Sequence, residues 1–84
     1  MIRCTVVWVQ DAQNDLAELW LLGPDRDAVT AAAHAIDQEF TDDAPEKGIE
    51  LSEGLRAYFS PPLRVLYTVR EDDRLVEVLR VKRL

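Results

Sequence analysis

The last third of the chain constrains the fold most. Leu63-Arg64-Val65-Leu66-Tyr67-Thr68-Val69 and Leu75-Val76-Glu77-Val78-Leu79-Arg80-Val81-Lys82-Arg83 are two β-branched and aromatic runs. They flank the short acidic stretch Arg70-Glu71-Asp72-Asp73-Arg74. Such runs on either side of an Asp-rich turn favour paired strands, because each offers a pleated surface with period two. The hairpin also collects the charge. Residues 1–54 hold three basic side chains against twelve acidic ones, whereas residues 55–84 hold seven basic against four acidic. A chain of net charge −6 has thus gathered nearly all its arginines onto one predicted sheet, and that polarity, more than any single residue, points to function.

At 84 residues the chain is read as a single domain, 1–84, that buries roughly 60–70% of its unfolded surface. Ile2 to Val9 is a strand candidate, with Cys4, Val6 and Trp8 pointing one way; both faces are apolar from Val6 onward, which predicts a strand away from a bare edge. From Asp11 the period changes. Ala12, Leu16, Leu19 and Trp20 form one helical stripe, which Asp11 would cap and Gly23-Pro24 would stop, with Gly23 in a left-handed conformation. Asp25 caps a second stripe, Val29, Ala32, Ala33, Ile36 and Phe40, that ends near Asp42-Asp43-Ala44-Pro45, with Lys47-Gly48 closing the loop. Helices over 11–22 and 25–42, joined this tightly, must form an antiparallel hairpin. Ile49 to Ser60 reads as a third strand region with a turn or bulge at Glu53-Gly54, and Pro61-Pro62 turns the chain into the final hairpin. The expected class is α+β, in the order β-α-α-β-β-β. The two helices would pack on one face of a mainly antiparallel four-stranded sheet.

Strand parity sorts the side chains. Leu63, Val65, Tyr67 and Val69 fit against the helices, and Arg64 takes the opposite face. Leu55, Ala57 and Phe59 would face the helices too, leaving Arg56 and Tyr58 outward. In simple register Arg56, Tyr58, Arg64, Thr68, Arg80 and Lys82 converge on one open face, while Glu77 turns toward the helices unless a bulge shifts the parity. Trp8 and Trp20 are read as core, and so is Cys4, which has no partner for an internal disulfide. His34 lies beside the second helical stripe, far from the arginines. One His and one Cys make no zinc constellation, there is no phosphate-binding glycine loop, and no cofactor is expected. No apolar run reaches the ~18–20 residues of a membrane span, and no secretory signal precedes the first strand, so the expected compartment is the cytoplasm.

Two of these segments resemble a known family. Val7-Trp8-Val9-Gln10-Asp11-Ala12-Gln13-Asn14-Asp15-Leu16-Ala17-Glu18-Leu19-Trp20 is similar to the opening of RelE/ParE superfamily toxins, an apolar strand followed by Ala and then Asp-Leu-x-x-apolar-Trp. The closing Leu63–Val69 and Val76–Val81 runs look like the same family's Tyr-Arg-Val-apolar-Tyr … Val-apolar-Arg-Val hairpin. The resemblance covers essentially the whole chain. It implies the toxin of a bacterial type II toxin–antitoxin pair, held inactive by a cognate antitoxin. The family works in two modes: ribosome-dependent mRNA cleavage, or inhibition of DNA gyrase with no cleavage chemistry by the toxin. A non-toxic binding module on the same fold is a third reading.

For the cleaving mode the expected catalytic residues are Arg56, Arg64 and Arg80, since arginines hold a scissile phosphate bidentately and stabilise the charge built during 2′-OH attack. Tyr58, Lys82 and Arg83 would bind RNA or another target. The same arginines also fit a solvated sheet face, partly paired with Glu50, Glu53, Glu71 or Asp72. Two departures from the family weigh against cleavage. Ribonuclease members carry a His or Tyr in a C-terminal extension, whereas this sequence stops at Leu84, and family toxins tend to be basic.

Overall fold

A computed structural model describes residues 3–42 and 47–84. The elements run β1 (Thr5–Trp8), α1 (Gln10–Leu22), α2 (Arg26–Thr41), β2 (Ile49–Ser52), β3 (Leu55–Ser60), β4 (Leu63–Arg70) and β5 (Leu75–Arg83). The expected third strand is two strands, because Gly54 takes a left-handed φ of 80° and folds the chain back at Glu53-Gly54. The sheet therefore has five strands, in the order β1-β5-β4-β3-β2. All neighbours are antiparallel except β1 and β5, which run parallel.

Both helices cover one face of the sheet. The core between the layers joins Val29, Ala32, Ile36 and Phe40 of α2 to Leu63, Val65, Tyr67, Val76, Val78 and Val81 of the sheet, with Cys4 and Ala12 completing it. Phe40 lies at its centre, its ring 4.2 Å from Tyr67 and edge-on to Tyr58 at 5.4 Å. The predicted packing of α2, β4 and Cys4 holds. Trp8 is half-buried against this core, but Trp20 is 40% exposed. Its indole N–H donates to Thr30 Oγ1 at 3.1 Å and Arg26 stacks 4.7 Å from its ring, so it lies on the seam between the helices.

Several local expectations change. Val9, not Asp11, is the N-cap of α1, and Asp11 sits in the first turn, where its charge complements the helix dipole. Gly23 ends α1 with an extended φ of −92°, so handedness does not explain it. Space does: a Cβ there would collide with the Arg83 guanidinium and crowd Leu19 O. Asp25 stands at the N-cap of α2 but makes no capping bond with its side chain. β1 is an edge strand after all; α2 covers the start of its outer side, where Cys4 N–H donates to Thr41 O at 2.9 Å. The expected Asp43-Ala44-Pro45 terminator, like Ile2, lies outside the described residues.

Candidate functional site

Register decides which cations meet. Across β3, β4 and β5, Phe59 stands opposite Arg64, and Arg64 opposite Lys82. This row lies on the uncovered face, since its neighbours Val65 and Val81 are buried beneath the helices. Of the six residues expected on that face, Arg64, Thr68, Arg80 and Lys82 share it by register, although the Arg80 guanidinium is bound to Asp15 of α1; Arg56 and Tyr58 do not.

Arg56 and Tyr58 are displaced to the helix side. Opposite pairs share a face, and Arg56 pairs with Tyr67 and Tyr58 with Val65, both buried in the core. Arg56 Nε donates to Lys47 O at 2.9 Å and its Nη2 to Gly48 O at 3.3 Å. The Tyr67 hydroxyl donates to the same Lys47 carbonyl, so β3 and β4 together pin the loop that precedes β2. Burial pushes the Tyr67 hydroxyl above the ordinary phenol range, although the hydrogen bond and charge of Arg56 pull it back. It is no proton carrier near neutrality.

Arg80 and Arg83 are drawn to the helices by the shape of the sheet. β1 ends at Trp8, and the main-chain bond from Val9 N–H to Val78 O is the last on that side. Beyond it the edge of β5 is free, and Asp15 of α1 moves in. Its Oδ2 accepts from Val81 N–H at 3.0 Å and from Arg80 Nε at 2.8 Å, and its Oδ1 from Arg80 Nη2 at 3.1 Å. The bond from Arg80 holds the Asp15 carboxyl below the usual carboxylate range against desolvation, with Val81 N–H assisting. One turn further, Arg83 Nη1 meets Asp25 Oδ2 at 2.7 Å and lowers that carboxyl likewise. The ladder slips between Leu66 and Tyr67 of β4, leaving Leu79 as the extra residue of β5. The slip also settles Glu77, which lies opposite Thr68 on the open face, 3.4 Å from Arg70.

Two features escaped the sequence reading. The first is a groove of about 470 Å³ along the α1–α2 seam, lined by Trp8, Leu16, Trp20, Val29 and Ala33. Its signal was present in Leu21, an apolar residue off the predicted stripe that is 59% exposed and lines the groove. The second is apolar surface on the sheet's open side, where Phe59 and Ile49 are 45% and 58% exposed. His34 is exposed on α2, and Cys4 is buried. Among the described residues no group of His, Cys, Asp or Glu is arranged to hold a metal ion.

Residues 6–83 match the family described as ParE toxin of type II toxin–antitoxin system. No curated protein sequence matches. Among solved structures, the chain resembles one in the toxin–antitoxin complex RelBE2 of Mycobacterium tuberculosis, with TM-score 0.82 and 22% identity over 100% of this chain and 94% of that one. It resembles one in the chromosomal ParDE system of P. aeruginosa with TM-score 0.76 and 19% identity, covering 100% and 99%. A conserved hypothetical protein of Helicobacter pylori follows, with TM-score 0.59 and 16% identity over 95% and 93%. At these identities the structures show a shared fold.

Proposed function

The chain belongs to the ParE toxin family of type II toxin–antitoxin systems, and on that premise we propose that it arrests growth by binding a protein target in the cytoplasm, DNA gyrase, and not by cutting mRNA. One observation carries this reading: the cations that cleavage would need are engaged elsewhere. Arg80 and Arg83 are bound to Asp15 and Asp25, and Arg56 to two main-chain carbonyls. Holding a phosphate and stabilising its transition state takes several donors aimed at one point. On the open face Arg70 is paired with Glu77. Among the described residues, that leaves Arg64 and Lys82 as the cations without a carboxylate partner, and no histidine or tyrosine stands there to move a proton.

A cognate antitoxin is the second partner. The seam groove is apolar and its helices carry Asp11, Glu18, Asp27 and Asp37, so it fits an amphipathic helix with basic flanks. Such an antitoxin should co-purify with the toxin and raise its melting temperature by mass action.

Induced expression with separate readouts tests the mechanism. Plasmid supercoiling should relax within minutes while pulse-labelled translation continues. Rapid loss of translation with cleaved mRNA and unchanged supercoiling would refute the gyrase reading.

A further inference from the structure

The uncovered sheet face is not the cationic surface that the arginine count suggests. Next to the Phe59–Arg64–Lys82 row, register sets Ile49, Ala57 and Leu66 side by side across β2, β3 and β4. Ala57 is only 2% exposed although no helix covers it, and it stands apart from the interlayer core. It floors a shallow apolar field whose walls are the larger side chains around it. Exposed apolar surface held together on a rigid sheet marks an interaction site on a small protein.

The charges around this field are mostly basic, and the acidic Glu77 on the same face is paired with Arg70. No acidic side chain pairs with Arg64 or Lys82 among the described residues. An apolar centre with an aromatic anchor and an arginine, poor in other unpaired charges, is the anatomy of a protein–protein interface. A nucleic-acid groove instead tracks its backbone with a line of cations. Of the four cations that register sets on this face, Arg70 and Arg80 are bound to Glu77 and Asp15, and Arg64 and Lys82 alone, on a chain of net charge −6, do not supply that line.

We propose that this open face is the surface with which the toxin grips its protein target, and that the target answers with an acidic patch around an apolar centre. Its carboxylates meet Arg64 and Lys82, and its apolar side chains pack on Phe59, Ile49 and Leu66. The proposal rests on the protein-binding reading above and assigns target and antitoxin to opposite sides of the sheet.

Purified DNA gyrase is the probe. Binding of the full chain and inhibition of supercoiling would be measured for wild type, Phe59→Ala, Arg64→Glu, Lys82→Glu and the exposed α2 variant Gln38→Ala. Each face variant should weaken binding roughly 30-fold or more, as losing an anchor of ~2 kcal/mol does, with melting temperature within a few degrees of wild type. Gln38→Ala should bind as wild type does. Raising salt should weaken the wild type more than Lys82→Glu. If gyrase binds wild type and all three face variants equally, the face is not the grip and the proposal fails, while the protein-binding reading stands. If wild type ignores gyrase but binds single-stranded RNA at micromolar concentration and loses it in Arg64→Glu, the reading and the proposal fall together.

Discussion

Replacing Asp15 by alanine removes the acceptor of three hydrogen bonds at once, and the structure separates their contributions. Val81 is 3% exposed, and its N–H lies on the part of β5 that β1 does not reach. Leaving a buried N–H without a partner costs about 1–3 kcal/mol. The Arg80 side chain is 51% exposed, so solvent screens its ion pair to about 0.2–1 kcal/mol. Asp15→Ala should therefore lose about 1–4 kcal/mol, from a total of about 4–13 kcal/mol for a domain of this length. Asp15→Asn keeps an oxygen for Val81 N–H and should lose only about 0.5–1 kcal/mol. Acid provides the second arm. The folded-state carboxyl is held below its unfolded value, so its stabilisation is complete above the unfolded value of about 3.9 and drains as pH falls through the lower folded one. The gap between wild type and Asp15→Asn should stay constant from about pH 8 to pH 5 and close below about pH 4. Urea unfolding followed by tryptophan fluorescence, at several pH values and with unchanged m, measures both arms. Asp15→Ala within about 0.5 kcal/mol of wild type at neutral pH, or a gap that widens in acid, would refute the argument.

Other replacements test the packing. Phe40→Ala, at the centre of a cluster of three rings, should cost about 3–5 kcal/mol, whereas the half-exposed Trp20→Ala should cost about 1–2 kcal/mol in equilibrium unfolding. Gly48 has φ 72°, and a Cβ there would strike Ala57 O and crowd the Tyr67 hydroxyl, so Gly48→Ala should destabilise by more than about 2 kcal/mol. Gly54 has φ 80° but open space around it, so Gly54→Ala should cost only about 1 kcal/mol; equal melting temperatures for the two glycine variants would contradict this account.

The helical stripes and the β4 alternation were legible because each buries one apolar face against a single layer. β3 was not. Its sequence alternates cleanly, but alternation defines two faces without saying which turns inward. Leu55, Ala57 and Phe59 are the more apolar set, yet the even residues go to the helix side. Tyr58 gives Phe40 a ring edge there, and Arg56 finds two carbonyls to satisfy its guanidinium. Polar-tipped side chains with long apolar bodies can line a core margin as well as leave it. β5 misled for another reason. A strict period of two puts Arg80 and Lys82 on the face of Val76 and Val78. The extra residue Leu79 moves them to the other face and returns Val81 to the core, and the early end of β1 exposes an edge where Asp15 binds the Arg80 guanidinium. Neither event leaves a local mark in the sequence. The arginines were countable; their partners depend on where another strand stops.

The parallel pairing of the first strand with the last also fixes an order of events in the cell. Thr5 through Trp8 are made about seventy residues before their partners Leu75 through Val78. The helical hairpin and the β2–β3 and β3–β4 pairs are local and can form as the chain emerges, whereas the pairing of β1 with β5 has to wait until all the elements between them have been made. β5 is also the strand that carries Lys82 and completes the row beside Arg64. Until then the Phe59–Arg64–Lys82 row of the open face is unfinished. The sheet is thus closed by the pairing with the longest sequence separation, and its open face becomes continuous only at that last step.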